Sequence, residues 1–346
     1  MTDIFPVFDG HNDTILKLEI AARLGSPVDF SKSNPMHDLD VPRARAGGFV
    51  GGLFAMFTPS NLDQFDHKFD PSDPANFDVV DQASALDFTL SMFARMRRLA
   101  RQFPNDLSIC DNALSIRAAI ATDRIAIVPH IEGAECIDTD FYALEILHAA
   151  GLRSLGPVWS RHNAFGHGAP MTLQTELDPG KGLSPKGFEL IHACDQLGIM
   201  IDLSHLTEAG FWDVAKTTTR PLIATHSNAH AISPNARNLT NRQLAAVAES
   251  KGVVGLNFHV QFLRADCKMD KSTPITEMIR HLDHLLGFLG EDGVAIGSDF
   301  DGCVLPAEIG DVTGLQKLIT AMKHAQYGDR LITKICSENW LRALPQ

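Results

Sequence analysis

A single (β/α)8 barrel of the TIM type, with loop insertions and C-terminal helices, is the α/β fold this sequence predicts, and three observations carry it. Eight short apolar runs are bounded by glycine, proline or polar residues, as strands covered on both faces are. Helical segments lie between most of them, the alternation that parallel βαβ units require. Imidazole and carboxylate side chains gather at the C-terminal ends of five of the runs, where a barrel of this kind opens its functional mouth.

The strand runs fall at 5–8, 49–57, 125–130, 152–159, 199–203, 222–225, 253–258 and 294–296. Helical periodicity occupies roughly 79–102, 112–122, 141–150, 185–197, 208–216, 241–250 and 275–289, and a terminal pair at roughly 314–325 and 329–341 follows. Ser184-Pro185 offers an N-cap with proline in the first turn, and Thr207 and Thr240 precede two further helices. No internal repeat or low-complexity linker divides the chain, so residues 1–346 are expected to form one domain. Two long excursions, 58–78 and 160–182, follow the second and fourth strands, the position of functional lids and equally of plain insertions or dimer contacts. The glycine-rich stretch Gly47-Gly48-Phe49-Val50-Gly51-Gly52 opens a strand instead of joining a strand to a helix, which argues against a phosphate-binding loop.

Composition excludes more than it identifies. A content of 45% hydrophobic and 21% charged residues is that of a globular protein, and a net charge of −12 disfavours nucleic acid or an anionic membrane as partner. The first residues leave no room for a signal peptide before His11, and no stretch approaches a membrane span. Six scattered cysteines without a Cys-x-x-Cys pair favour reduced thiols, so the expected compartment is the cytoplasm.

The first chemical candidate is Asp9-Gly10-His11-Asn12-Asp13, directly after the first strand. Side chains two apart on extended chain point the same way, so His11 and Asp13 could hold one cation. Glu132 ends the third run and is followed by Gly133, which permits a sharp turn. A carboxylate there could bridge two ions, while the bland reading is a capping or salt-bridged glutamate. His205 and His226 close consecutive strands and could meet on one ion, whereas either alone would read as a core histidine. Asp299, in Gly-Ser-Asp-Phe-Asp-Gly, ends the eighth strand, where an acid beside a metal-activated water can accept and return a proton. Asp301 reads as a turn residue, and Asp9 and Asp202 as structural or supporting groups. Arg237, on the loop after the sixth strand, could grip a carboxylate with two parallel hydrogen bonds, although most loop arginines are simply solvated.

Taken in order, DGHND, IEG, IDLSH, THSNA, the Arg-Asn-Leu-Thr stretch and GSDFDG resemble the membrane (renal-type) dipeptidases, zinc peptidases of the amidohydrolase-like barrels, and the likeness runs nearly end to end. The resemblance implies two Zn2+ per chain. His11 and Asp13 would bind one, Glu132 would bridge, and His205 and His226 would bind the other. Asp299 would be the acid/base, and Arg237 would hold the substrate's C-terminal carboxylate. It also implies a homodimer. Two departures stand out. Where many members carry a substrate-contacting histidine after the fourth strand, this chain has Trp159, leaving Arg161, His162 or Asn163 as replacements from the loop. The family's Asn-Phe-Tyr is Asn257-Phe258-His259 here, so His259 is the candidate donor at that position.

The expected function is therefore a dinuclear zinc dipeptidase, a metallopeptidase cleaving small dipeptides, with those ending in a D-residue as candidates. Two alternatives are a metal-dependent hydrolase of N-acyl amino acids or other amides, and a non-catalytic small-molecule-binding barrel. The presence of Asp299 favours an enzyme, since an acid/base has no evident task in a pure binder.

Overall fold

A computed structural model describes residues 4–61, 73–174 and 178–344. Its strands are β1 (Val7–Asn12), β2 (Phe49–Phe57), β3 (Leu107–Ile109), β4 (Ile125–Glu132), β5 (Ser154–Gly156), β6 (Met200–Ile201), β7 (Ile223–Ala224), β8 (Val253–Leu256) and β9 (Val294–Ile296). Every pairing between them is parallel. One sheet runs β1-β2-β4-β5-β6, with β3 beside β4, and the second runs β7-β8-β9. Single parallel bridges link the sheets, Asp202 with Ile223 and Asn12 with Phe300. Around the second link, the Asp13 N–H donates to the Phe300 carbonyl at 2.8 Å and the Asp299 N–H to the His11 carbonyl at 2.9 Å. The architecture is mixed α/β, with its parallel strands curled as a half-barrel.

The helices are α1 (Thr14–Arg23), α2 (Val41–Gly47), α3 (Gln82–Gln102), α4 (Ala113–Ala121), α5 (Tyr142–Ala150), α6 (Pro185–Leu197), α7 (Glu208–Thr217), α8 (Asn241–Glu249), α9 (Val260–Leu263), α10 (Ile275–Leu289), α11 (Leu315–His324), α12 (Asp329–Thr333) and α13 (Asn339–Ala343). The expected caps form. Ser184 accepts from the Gly187 N–H, Thr207 from that of Gly210, and Thr240 from that of Gln243 in a reciprocal capping box. Among the described residues no helix is long and apolar enough to cross a membrane.

Several boundaries differ from the sequence reading. The first strand lies later than 5–8, so His11 is inside β1, with an irregular register between Asp9 and Asn12. Helix α1 was not expected. Asp13 occupies its N-cap but makes no capping hydrogen bond, so the usual start signal is absent. Strand β3 has three residues, too few for periodicity to register. The run 152–159 yields only Ser154–Gly156, since Pro157 has no N–H to continue a ladder. Residues 62–72 of the first excursion and 175–177 of the second lie outside the described residues.

Alternation along the strands sorts side chains into two buried groups. Val7, Phe54, Ile127, Ala224 and Val254 join the large cluster shared with the helices. Phe8, Leu53, Val128, Met200, Ile223, Val253 and Ala295 join a smaller one around Trp340 from α13. Continuing the second parity toward the C-terminal strand ends gives His130 and Glu132 on β4, Asp202 after β6, Thr225 after β7, Asn257 after β8 and Asp299 after β9. The strand faces thus change from apolar to polar along their length, and the polar end carries the site.

Candidate metal centre

Each side chain reaches the site by a local backbone device. The irregularity in β1 re-aims His11. Glu132 is the last residue of β4, and Gly133, at φ 81°, turns the chain away behind it. His205 (φ 71°) and Asp299 (φ 63°) both adopt the left-handed region, which costs a non-glycine residue about 1–2 kcal/mol. Such strain persists only where the surroundings enforce it, and it concentrates at functional positions. Asp301 (φ 66°) is pinned by reciprocal bonds. Its N–H donates to Asp38 and its carboxylate accepts from the Asp38 N–H, each at 2.8 Å, while Thr14 donates at 2.8 Å. That is the structural role expected for it.

The side chains converge on one oxygen. Glu132 Oε1 stands 2.9 Å from His205 Nε2, 3.5 Å from His226 Nε2 and 3.7 Å from His11 Nε2. Asp13 Oδ2 lies 3.4 Å from His11 Nε2, and the His205 and His226 Nε2 atoms are 3.1 Å apart. His11–Asp13–Glu132 and Glu132–His205–His226 each bring three possible ligand atoms within 4.8 Å of one another. All five residues are buried, and among the described residues His11 Nδ1, His11 Nε2 and Asp13 Oδ1 have no hydrogen-bond partner. Buried polar atoms left unpaired in this density are costly, and a divalent cation would satisfy them, so the residues fit a metal. The group His11–Asp202–His226 is also compact, but both Asp202 oxygens already accept hydrogen bonds.

Electrostatics agree with the geometry. Burial holds the His205 and His226 imidazoles well below their ordinary range, with the positive His11 and Arg237 adding to it. Neutral imidazoles with free lone pairs are the metal-binding form. Burial drives the Glu132 carboxyl well upward, and Asp13 and Asp299 reinforce it. At His11 burial opposes protonation, yet the Glu132 and Asp13 carboxylates outweigh it and lift the imidazole to about 10. The packed acids and imidazoles thus shift one another's protonation strongly, as at a site that a cation can occupy.

Asp299 sits beside this cluster, its carboxyl pushed by burial to about 7. Its Oδ2 accepts from Asn257 Nδ2 at 3.0 Å, and the Asn257 amide is oriented by accepting the His259 N–H at 2.6 Å. Arg237 is buried, and its Nε has no partner among the described residues. Its guanidinium touches the His226 carbonyl at 3.4 Å and lies 5.4 Å over the Phe262 ring. Burial lowers it to about 10, still charged at neutral pH, and a buried charge with a free donor is suited to an incoming anion. His259 packs on Phe262 at 4.7 Å, and burial lowers its imidazole to about 4, so it is neutral.

Trp159 lies between Phe77, stacked at 5.4 Å, and His205 at 5.9 Å, with Phe57 at 4.8 Å, and forms an aromatic wall beside the cluster. Of the three loop residues considered as replacements for the missing histidine, none is free in the site. Arg161 is fully engaged by Glu135 (2.8 Å), Ser60 (2.9 Å) and the Thr58 carbonyl (2.5 Å). His162 is exposed and stacks on His167 at 5.7 Å, while Asn163 closes its own loop through Pro157 and Phe165. Neither His162 nor Asn163 has a hydrogen bond or ring contact with the cluster among the described residues. Glu135, Ser160 and Thr225 were not singled out from sequence. Thr225 and Ser160 hold the Nδ1 atoms of His226 and His205, each at 2.8 Å. The parity of Thr225 with the inward-facing residues was the available signal.

Comparison with known proteins agrees with this geometry. A family model described as membrane dipeptidase (peptidase family M19) matches residues 1–346. An uncharacterised protein in the pqqA 5′ region of Klebsiella pneumoniae is 43% identical over 259 residues, 75% of this chain and 96% of that protein. The crystal structure of a metallo peptidase from Rhodobacter sphaeroides, liganded with a phosphinate mimic of the dipeptide L-Ala-D-Ala, superposes with a TM-score of 0.92 at 42% identity, covering 99% of both chains. The crystal structure of dipeptidase AC, an M19 metallo peptidase, gives 0.88 at 42% identity, covering 99% of this chain and 98% of that one.

Proposed function

Because the chain belongs to the membrane dipeptidase family, peptidase family M19, and is a metallopeptidase, we propose that it is a dinuclear zinc dipeptidase acting on small dipeptides with a free C-terminal carboxylate, including those ending in a D-residue. The observation that carries this reading is the meeting of three imidazole Nε2 atoms on the single oxygen Glu132 Oε1. His11 and Asp13 would hold one zinc, His205 and His226 the other, and Glu132 would bridge. The dipeptide mimic in the Rhodobacter sphaeroides relative supports the substrate class and the D-configured end. The bridges at Asp202–Ile223 and Asn12–Phe300 support a closed single-domain (β/α)8 barrel, and six unpaired cysteines support a cytoplasmic setting.

Zinc bound there would supply Lewis-acid polarisation of the scissile carbonyl and a water acidified toward neutral pH. The chain's own groups do the rest. Arg237, buried and with Nε free, would hold the substrate carboxylate and so fix which amide faces the cluster. Asp299 would carry the proton to the leaving nitrogen on Oδ1, since Oδ2 is held by Asn257. Trp159, with Phe57 and Phe77, would exclude bulk water from one side and touch the substrate, and neutral His259 would line the pocket beside Arg237.

The test is metal analysis after zinc loading, joined to rates on L-L dipeptides, L-D dipeptides and N-acyl amino acids. About two zinc ions per chain and turnover of the dipeptides are expected. Rates confined to the N-acyl amino acids would overturn the dipeptidase reading, and a zinc-free protein would overturn the metal centre.

A further inference from the structure

Hydrogen bonds beneath His226 decide which of its nitrogens is free. Asp202 Oδ1 accepts from the N–H groups of Ser204 (3.0 Å) and Thr225 (2.8 Å), and Oδ2 accepts from the Thr225 hydroxyl at 2.6 Å. A threonine hydroxyl has one proton. With that proton given to Asp202, Thr225 Oγ1 can only accept from His226 Nδ1, 2.8 Å away. Nδ1 is then the protonated nitrogen, and Nε2, facing Glu132, carries the lone pair.

His205 lacks this lock. Its Nδ1 meets Ser160 Oγ at 2.8 Å, but among the described residues that hydroxyl has no second partner, so it donates or accepts equally well. Asp202, Thr225 and His226 are each at most 1% exposed, which keeps bulk water from substituting for the hydroxyl.

We propose that Thr225 is a positioning residue whose hydroxyl, oriented by Asp202, locks His226 in its metal-binding tautomer and thereby sets how tightly the centre holds one of its zinc ions. This rests on the reading of His226 as a metal ligand. The physical ground is that an unconstrained imidazole divides its population between tautomers and ring orientations, and each misdirected population subtracts from affinity. Partners that orient a ligating histidine typically contribute about 10–100-fold in metal affinity.

The experiment is zinc release against a graded chelator, read as metal remaining per chain, for wild type, T225V, T225S and H226A. T225V keeps the volume and removes the hydroxyl, whereas T225S restores the hydroxyl without the methyl. One zinc of T225V should leave at about 10–100-fold weaker competition than in wild type, with T225S close to wild type. H226A should release the same ion more easily still. T225V holding zinc like wild type, or T225S as weak as T225V, would overturn the proposal while the H226A result upholds the ligand reading. H226A holding zinc like wild type would overturn the ligand reading and the proposal with it. Should T225V not fold, D202N probes the same link from its other end. Its amide can donate to the Thr225 hydroxyl, freeing that hydroxyl to donate to Nδ1, and the same loss of zinc is expected; retention would overturn the lock.

Discussion

The Nε2 atoms of His205 and His226 stand 3.1 Å apart, and both are turned on Oε1 of Glu132. Two lone-pair nitrogens and a carboxylate oxygen repel one another unless a proton or a cation lies between them. The arrangement is thus one that a metal stabilises and that metal-free protein must fill with protons, so zinc loading should release protons.

Glu132→Gln removes the shared charge while leaving the strand end intact. Zinc content should fall and hydrolysis should be lost, with the melting temperature of the zinc-free protein little changed. Metal analysis beside a thermal melt checks both, and full zinc occupancy in the variant would contradict the bridging role.

Asp299→Asn keeps a side chain able to accept from Asn257 but removes the proton carrier. A drop in kcat of about 10²–10⁴-fold with zinc content unchanged is expected. Loss of zinc in this variant would instead mark Asp299 as a ligand.

Arg237→Met should weaken kcat/KM for dipeptides with a free carboxylate by about 2 kcal/mol or more, roughly 30-fold, through loss of the buried charge that meets it. Dipeptide amides, which lack that carboxylate, should be cleaved at the same low rate by wild type and variant. An equal loss on both substrates would show that Arg237 acts on the fold instead.

Gly10→Ala tests the packing below the site. A Cβ there would come within 2.6 Å of the Thr225 carbonyl and clash with the Trp340 ring. Overpacking of this kind costs about 1–3 kcal/mol, read as a lowered melting temperature. Because Gly10 precedes His11, zinc affinity should fall as well.

Glu19 supplies a pH-dependent term away from the site. Burial would raise its carboxyl, but hydrogen bonds from Arg23, Arg95 and Ser91 prevail and hold it below its ordinary value of 4.5. A depressed acid stabilises the fold at pH above its unfolded value, and that contribution is lost as pH falls through the folded value. The melting temperatures of wild type and E19Q should therefore differ at pH 7 and converge as the solution is acidified below about 4.5. A gap that widens in acid would refute the assignment.

The side chains that cluster around Glu132 Oε1, and Asp299 beside them, were legible because a parallel α/β chain announces its strand ends, and His11, Glu132, His205, His226 and Asp299 each lie within a few residues of one. What sequence could not supply was pairing across distance. Arg161 reaches a carbonyl 103 positions away, and Asn257 reaches an acid 42 positions on, with no local pattern to betray either bond. Asp13 misled in the opposite sense. As a helix N-cap without a capping bond, it concealed α1 because its carboxylate is turned toward His11. At the position of the family's histidine, Trp159 itself fills the space beside His205.

Trp340 carries a consequence for the order of events during biosynthesis. Its indole donates to the Ile296 carbonyl at 2.7 Å and packs against Gly10, while the Asp299 N–H and the Phe300 carbonyl hold the chain at His11 and Asp13. The end of β1 that carries His11 and Asp13 is thus braced by segments far along the chain. A nascent chain stalled before residue 340 leaves that end of the first strand without its indole brace, so the region around His11 settles only after the C-terminal helices have been made.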